Sequence, residues 1–162
     1  MGRRGLMPSR RDLVEMSAAE VRAYLEGQQR IVLITNGPHG MPHPVPMNYG
    51  LDEEGRVLLT SFARSQKVRN LERDPRASLL IESGDRYAEL KAVILYAEAE
   101  IVRDPEDVVQ LMGRIQAAEP LAGSLDAAMS QQVRASIAKR VVLRFTPFRV
   151  VSWDHSKLDG KY

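Results

Sequence analysis

The sequence contains no cysteine, and this absence excludes several kinds of chemistry. Without thiols the chain forms no disulfide, carries no cysteine nucleophile and offers no thiolate to zinc or to an iron–sulfur cluster. The only histidines are His39, His43 and His155, and their spacing from one another and from carboxylates matches no metal-site pattern. We therefore expect no metal site.

An excess of charge of one sign is also lacking. The 23 lysines and arginines are nearly matched by 21 aspartates and glutamates, which leaves a net charge of +2. A broad basic face for nucleic acid is therefore not expected. No apolar run approaches the ~20 residues of a membrane span, and no apolar signal-peptide segment follows the arginines near the N-terminus. We expect a cytoplasmic protein that binds neither membrane nor nucleic acid.

Short strand patterns joined by turns dominate the rest of the chain. The length suits one domain, which we place at residues 13–162 behind a flexible tail at residues 1–12. Ser17 and Glu20 form a capping-box pattern that begins the first helix. Strands are predicted over residues 30–35, 41–50, 56–61, 76–82, 89–102, 140–146 and 149–153, and helices after Ser65, after Asp104 and over residues 124–139. This order favours a mainly β fold, an antiparallel barrel with helices packed around it.

The second predicted strand carries prolines at alternate positions, Pro42, Pro44 and Pro46. Each proline removes a backbone donor, so such a strand is unusual in the centre of a sheet. Because the prolines are spaced by two, they all lie on one side of the strand. We expect a strand that is paired along one edge only, or one whose free edge is available to a ligand.

A short helix after the third strand contains the most informative pattern. Ser65 is its expected N-cap, with a hydroxyl that accepts from a backbone N–H of the first turn. Val68 and Leu71 share a core-facing side, and Lys67 and Asn70 share another. A lysine in the first turn is disfavoured by the helix dipole unless an anion is present. Free N–H groups, hydroxyls and a lysine predict a phosphate site, and a solvated basic helix is the alternative.

Familiar catalytic motifs are absent. The chain has no Gly-x-Ser-x-Gly elbow, no P-loop and no Gly-x-Gly-x-x-Gly, so hydrolase, NTPase and Rossmann functions lack their usual residues. A phosphate site beside a half-open strand, without an obvious side-chain catalyst, favours a cofactor that brings its own reactivity.

Several ordered motifs together resemble those of one superfamily. They are Val45 to Tyr49, Thr60-Ser61, Ser65 to Leu71 followed by Asp74-Pro75-Arg76, and the closing segment from Val151 to Tyr162. The chain resembles the pyridoxamine 5'-phosphate oxidase-like, FMN-binding split-barrel superfamily, and within it the actinobacterial flavin/deazaflavin-dependent oxidoreductases. The resemblance implies a six-stranded antiparallel split β-barrel. It also implies a homodimer with two cofactor sites in grooves at the subunit interface.

The resemblance further implies roles for ten residues in binding a cofactor, coenzyme F-420 or alternatively FMN. Pro46 and Met47 would present backbone groups to the ring, and Thr60 and Ser61 would line the ring and the ribityl chain. Ser65, Gln66 and Lys67 would hold the phosphate, and Asn70 would support that loop. Lys91 on the long strand, and Trp153 in the C-terminal region of the partner chain, would add further contacts.

The expected activity is an oxidoreductase that transfers a hydride between reduced coenzyme F-420 and a small conjugated or heteroaromatic substrate. The alternatives are an FMN-dependent oxidase or reductase and a non-catalytic carrier of the cofactor. Oxidation of vitamin B6 is not expected, because the C-terminal Arg-x-His segment of pyridoxamine phosphate oxidases is absent. Arg64, Arg69, Arg73 and Arg76 are candidates to attract the anionic polyglutamate tail of F-420, or they are ordinary surface arginines.

Overall fold

The computed structural model describes residues 9–115 and 135–158. The sheet strands are β1 (Arg30–Asn36), β2 (Pro42–Asn48), β3 (Gly50–Leu51), β4 (Val57–Phe62), β5 (Arg76–Ser83), β6 (Lys91–Val102) and β7 (Arg140–Asp154). Within these residues the chain forms α-helices α1 (Arg10–Val14), α2 (Ala18–Gly27), α3 (Gln66–Arg73) and α4 (Pro105–Met112). Mainly β structure with flanking helices is therefore confirmed.

All strand pairs are antiparallel, and the strands follow the order β2-β1-β5-β6-β7-β4-β3. The two ends of this order, β2 and β3, are consecutive in the chain and separated only by Tyr49. Counted as one bent strand, they give six strands and join the first edge of the sheet to the last. The result is the antiparallel split barrel that the resemblance implied.

Two backbone hydrogen bonds define which edge of the β2–β3 strand faces which neighbour. The N–H of Tyr49 donates to the carbonyl of Gln29 at 3.3 Å, on the β1 side. The N–H of Asp52 donates to the carbonyl of Arg56 at 3.0 Å, on the β4 side. Because backbone groups alternate between the two edges of a strand, odd-numbered residues face β1 and even-numbered residues face β4.

The three prolines explain why the barrel is split. Pro42, Pro44 and Pro46 lie on the β4-facing edge, where they have no N–H to donate. Pairing of this strand with β4 stops at Gly50, and β2 has no strand partner on that edge among the described residues. The predicted pairing along one edge is therefore confirmed, and the proline spacing encodes the opening.

The barrel interior is apolar and closely packed. Leu33, Leu59, Leu79, Val93 and Leu143 are buried on five different strands. The core-facing residues predicted on α3, Val68 and Leu71, are 0% and 3% exposed within the same cluster. A second cluster forms where α4 covers the outer face of β4 and β7; it contains Leu58, Val102, Val108, Met112, Ile115, Ile137 and Val142. The expected helices outside the barrel are thus present.

Three expectations about local structure need correction or fall outside the described residues. β7 is one continuous strand rather than two strands broken at Pro147, because that proline lies at a register shift opposite Tyr96 and Ala97, where a proline is tolerated. Residues 10–12, expected in the tail, form the start of α1, which Ser9 and Asp12 cap reciprocally. The helix expected over 124–139 lies mostly among residues that are not described.

Candidate functional site

Three of the residues predicted to line the cofactor converge where β4 ends and α3 begins. The hydroxyl oxygen of Ser61 lies 2.9 Å from that of Ser65, and the Nζ of Lys67 donates to the Ser61 oxygen at 3.3 Å. Ser61 is buried, at 5% exposure, and the other two residues are half-buried. We call Ser61, Ser65 and Lys67 the lysine–serine cluster.

The charge of Lys67 has no counter-ion within residues 9–115 and 135–158. Its ammonium forms a hydrogen bond to Ser61 but no ion pair with a described carboxylate. Burial lowers the pKa of Lys67 below its ordinary value of 10.5, because removal from water penalises the charged form. A half-buried cation in the first turn of a helix, without a carboxylate, is the electrostatic arrangement that an anion would stabilise.

Ser65 occupies the N-cap position of α3, but the predicted capping bond is wrong. Its backbone is extended, and its side chain makes no hydrogen bond to the first turn. The hydroxyl is directed to Ser61 instead. Consequently the N–H groups of Gln66 and Lys67, at the first two helical positions, have no hydrogen-bond partner among the described residues.

Asn70 connects α3 to the barrel. Its side chain is fully buried, its Nδ2 donates to the Oγ1 of Thr35 on β1 at 2.9 Å, and its Oδ1 accepts from the Nε2 of Gln66 at 2.8 Å. This geometry suits the expected support of the loop, and it engages the Gln66 amide with Asn70. Thr35 was missed by sequence reasoning, because a single hydroxyl within an aliphatic run gives no signal of its partner.

Thr60 and Ser61 lie on opposite faces of β4, since successive side chains of a strand alternate. Ser61 faces the lysine–serine cluster, and Thr60 faces the side on which α4 packs. The Oγ1 of Thr60 is buried and has no hydrogen-bond partner among the described residues. The backbone of Thr60 is even-numbered like that of Arg56, so it faces the β2 side of the opening. The sequence analysis had placed both hydroxyls in one site, and the structure directs them to opposite faces of β4.

On β2, the structure separates the two residues expected to contact a ring. Pro46 is exposed, and its carbonyl lies on the edge that faces β4. The backbone N–H of Met47 faces β1, and its side chain packs against the barrel core. The role of each in binding remains a prediction.

Lys91 and Trp153 lie far from the lysine–serine cluster within one chain. Ser61 pairs with Val141 near the start of β7, whereas Trp153 pairs with Ala92 at its other end. Strands rise about 3.3 Å per residue, so these positions are at opposite ends of the sheet. The Nζ of Lys91 also forms an ion pair with Asp154 at 2.7 Å. Within one chain, therefore, neither Lys91 nor Trp153 contributes to the lysine–serine cluster.

The four arginines considered for an anionic tail divide into two pairs. Arg73 donates to the carbonyl of Asn36 and to Asn70, and Arg76 pairs with Asp74. Arg64 and Arg69 are exposed, and their guanidinium groups bond to none of the described residues. Two of the four guanidinium groups therefore remain free to meet a ligand.

A mainly apolar cavity lies away from this cluster. It has a volume of about 520 Å³ and is lined by α2 and by the middle of β7, including Val21, Leu25 and Val150.

The described residues contain no group of three or more His, Asp or Glu side chains that could hold a metal ion. None of the helices in residues 9–115 and 135–158 has the length and apolar character needed to cross a membrane.

Comparison with known families matches residues 17–154 to the pyridoxamine 5'-phosphate oxidase model. The chain belongs to the pyridoxamine 5'-phosphate oxidase family. The superfamily resemblance read from the motifs is thereby confirmed, and with it membership of a family of flavin-binding oxidoreductases.

Individual proteins are similar to this chain to different degrees. The conserved hypothetical protein Rv2991 from Mycobacterium tuberculosis is 35% identical, with a TM-score of 0.81, over 96% of this chain and 95% of that chain. A 5a,11a-dehydrotetracycline/5a,11a-dehydrooxytetracycline reductase from Streptomyces rimosus is 37% identical over 62 residues, which are 36% of this chain and 44% of that reductase. The match thus spans less than half of the reductase. An F420 reductase shares the fold at 22% identity and a TM-score of 0.57, over 80% of this chain and 94% of that chain.

Proposed function

We propose that this protein is an oxidoreductase that binds a phosphate-bearing deazaflavin, coenzyme F-420, between the lysine–serine cluster and the open edge of β2. The observation that carries the proposal is the half-buried ammonium of Lys67, which has no carboxylate partner in the described chain. A structural lysine would normally be paired or fully hydrated.

The phosphate would be held at the start of α3. Lys67 supplies the charge, Ser61 and Ser65 supply hydroxyl donors, and the free N–H groups of Gln66 and Lys67 point out of the first helical turn. Charged hydrogen bonds of this kind are roughly twice as strong as neutral ones. Asn70 would fix the position of α3 against β1, so the site is formed before the ligand arrives.

The ring would lie in the opening between β2 and β4. On one side of the opening the outward groups are proline carbonyls, including that of Pro46, and on the other is the backbone of Thr60. The hydroxyl of Thr60 is buried and has no partner in the described part of the chain, which fits a site that a polar ligand completes, because buried polar groups are rarely left without a partner. Carbonyl acceptors without competing donors suit the N–H groups of a flavin-type ring.

The bound cofactor would supply the hydride, and the protein would bind, orient and exclude water. No residue is assigned as a proton donor. A small conjugated or heteroaromatic substrate is the proposed acceptor, supported by the local similarity to the 5a,11a-dehydrotetracycline/5a,11a-dehydrooxytetracycline reductase. Because that similarity covers only part of both chains, the support concerns the class of substrate and not its identity.

We propose a homodimer as the active form, with the outer face of the sheet as its interface. One cross-strand row of side chains is apolar and at least partly exposed across five adjacent strands. Its members, in register, are Pro46, Val32, Leu80, Ile94 and Val151. Contiguous apolar surface of this kind marks interaction sites. Within one chain, Lys91 and Trp153 lie far from the lysine–serine cluster. In a dimer, the second chain would supply these two residues to the cofactor site of the first.

Separate titrations of the purified protein with coenzyme F-420, FMN and riboflavin test the proposal. Fluorescence quenching should show the tightest binding for F-420 and weaker binding for riboflavin than for FMN, because riboflavin lacks the phosphate. Preferential binding of FMN would favour the FMN-dependent alternative. Binding of F-420 without oxidation of its reduced form by any conjugated acceptor would favour the carrier. Absence of binding by all three would reject the proposal.

A further inference from the structure

The mainly apolar cavity beside α2, which we call the α2 cavity, is separate from the lysine–serine cluster. Val57, at the start of β4, lines it, whereas Ser61 lies four residues further along that strand. At about 3.3 Å per residue, the two sites are roughly 13 Å apart. The α2 cavity measures about 520 Å³, within the range of ~300–1,000 Å³ that is typical of sites for small molecules.

The walls of the α2 cavity are fixed by hydrogen bonds. The hydroxyl of Tyr49 donates to the carbonyl of Leu25 on α2 at 2.5 Å. The N–H of Met16, just before α2, donates to the buried hydroxyl of Ser152 on β7 at 3.1 Å. These bonds hold α2 and the segment before it against the barrel, so the cavity is formed without a ligand. Leu25, Met16 and Ser152 themselves line it.

The second half of β7 gives the α2 cavity an apolar, accessible rim. Pairing of β7 with β4 ends at Phe145, so the edge of β7 beyond that residue has no strand partner among the described residues. Phe148 and Val150 are 64% and 46% exposed there, and Val150 lines the cavity. Apolar side chains exposed at the mouth of a concave site are typical of a surface that binds a ligand.

The same edge offers a backbone acceptor. The N–H of His155 donates to the carbonyl of Leu90 at 3.0 Å, on the β6 side. Because backbone groups alternate between the edges of a strand, the carbonyl of Val150 faces the free edge. It has no hydrogen-bond partner among the described residues.

The charge that is left unpaired at the α2 cavity is negative. Three charged side chains line the cavity: Glu15, Arg22 and Glu54. Arg22 pairs with Glu26 at 3.0 Å, and Glu54 pairs with Arg56 at 3.1 Å. The carboxylate of Glu15 forms no ion pair within the described chain.

A neighbouring lysine does not neutralise Glu15. The Nζ of Lys157 donates to the backbone carbonyl of Glu15 at 2.8 Å, but its charge is paired with the carboxylate of Glu20, also at 2.8 Å. An anionic ligand would therefore meet an unpaired carboxylate at the α2 cavity, whereas a cationic one would supply the missing counter-charge.

We propose that the α2 cavity is a second ligand site, which takes a small molecule with an apolar body and a cationic amine. The apolar body would fill the space between α2 and β7, and the amine would donate to the carboxylate of Glu15 and the carbonyl of Val150. This inference does not depend on the proposed function, because none of these residues belongs to the lysine–serine cluster or to the opening between β2 and β4.

Displacement of a fluorescent apolar reporter tests the site and its preference for charge. The reporter is N-phenyl-1-naphthylamine, which is neutral at pH 7 and fluoresces when it leaves water. Decylamine, decanol and decanoate, each below its micellar concentration, are the competitors because they share one chain and differ in charge. We expect decylamine to compete about two- to fivefold better than decanol, the range for an exposed ion pair, and decanoate to compete least.

Two variants fill the α2 cavity. Val150→Trp enlarges an exposed side chain on its rim, and Val21→Phe enlarges a half-buried one on α2. Each should weaken binding of the reporter by about tenfold or more, since an occupied cavity no longer admits the ligand. Val109→Phe is the matched control, a half-buried valine on α4 in the second apolar cluster, and should leave binding unchanged. Val150→Trp provides the result if Val21→Phe does not fold.

A charge variant tests the amine. Glu15→Gln should abolish the advantage of decylamine over decanol and leave the affinity for decanol unchanged. Glu106→Gln is its control, an exposed carboxylate on α4 without an ion pair in the described chain, and should preserve the advantage.

Four results would overturn the proposal. They are failure of the wild type to bind the reporter, undiminished binding by both folded cavity-filling variants, competition by decanoate equal to that by decylamine, and displacement of the reporter by coenzyme F-420. The last result would make the α2 cavity part of the cofactor site. Loss of F-420 binding at the lysine–serine cluster, by contrast, would reject the proposed function and leave this site standing.

Discussion

The Nζ of Lys67 lies 3.3 Å from the hydroxyl of Ser61, and within the described chain this hydroxyl is its only hydrogen-bond partner. An ammonium taken partly out of water for a single neutral hydrogen bond loses hydration that the bond does not replace. Such an arrangement contributes little to the folded protein by itself. It is explained when a ligand provides the missing negative charge, and this makes Lys67 the residue on which tests of function should concentrate.

Replacement of Lys67 by methionine should separate binding from stability. We expect affinity for a phosphate-bearing cofactor to fall by about 1.5–3 kcal/mol, the range of charged hydrogen bonds. The melting temperature of the free protein should stay the same or rise, because a half-buried unpaired charge is removed. Fluorescence titration and thermal unfolding measure the two quantities. Lys139→Met, at an exposed lysine, is the control and should alter neither; a clear fall in the melting temperature of Lys67→Met would indicate a structural lysine instead.

The affinity for FMN or F-420 should depend on pH above neutrality. Burial places the pKa of Lys67 in the free protein below 10.5, and a bound phosphate should raise it by favouring the charged form. Affinity should therefore decrease as pH rises through the lowered pKa of the free protein. The second ionisation of a phosphate, near pKa ~6, is already complete in that range and contributes nothing. Titrations between pH 7 and 10 should show this slope in the wild type and a flat profile in Lys67→Met.

In the free protein the same lowered pKa has an opposite consequence for stability. The unfolded chain binds the Lys67 proton more tightly than the folded chain does, so the contribution of Lys67 to stability should increase as pH rises from the lowered pKa towards 10.5. Urea unfolding of wild type and Lys67→Met over this range isolates the effect of the one residue. If the difference in unfolding free energy between wild type and Lys67→Met does not change with pH, the lowered pKa of Lys67 is contradicted.

The hydrogen bond between Asn70 and Thr35 should be a coupled contribution to stability. Asn70→Ala leaves the buried Thr35 hydroxyl without its donor, so a loss of about 1–3 kcal/mol is expected. Thr35→Val together with Asn70→Ala should cost less than the sum of the two single changes. Urea unfolding of the four proteins gives the coupling energy. If the loss in the double variant equals the sum of the two single losses, the hydrogen bond between Asn70 and Thr35 does not contribute to stability.

The ion pair between Lys91 and Asp154 should stabilise the chain rather than bind its own cofactor. Lys91→Met leaves the Asp154 carboxylate, 9% exposed, without its partner. We expect a loss of about 1–3 kcal/mol in unfolding free energy, below the value for a fully buried pair because Lys91 is 33% exposed. Adding Asp154→Asn should restore part of this loss. A large loss of cofactor affinity in a Lys91→Met protein that is still folded would instead support the contact that the resemblance implied.

Much of the fold followed from local pattern. Runs of β-branched and aliphatic residues between turn residues located the strands, the Ser17–Glu20 pair began α2, and Asp104 caps α4 as expected, accepting from the N–H groups of Glu106 and Asp107. These features depend on residues a few positions apart, so the chain reveals them without its tertiary contacts. The position of Pro147 within a continuous β7 was not predicted, because the register shift that tolerates it is set by pairing with β6.

The candidate site divides in the same way. The helix after β4, with a lysine in its first turn, was evident from the sequence, whereas the separation of Thr60 from Ser61 on opposite faces of β4 was not predicted. The partner of the Ser65 hydroxyl and the bond between Asn70 and Thr35 were not predicted either, because each depends on how α3 packs against the strands.

By itself, the sequence determined the strands, the short helix with its lysine, and an edge without donors at Pro42, Pro44 and Pro46. It did so because strand alternation, helix capping and the missing N–H of proline are properties of the local chain. Only the tertiary structure decided that this edge faces β4 across an opening, and that Lys67 is half-buried there with no carboxylate beside it. Burial and neighbouring charge arise from segments far apart in the sequence, which come together only when the barrel closes.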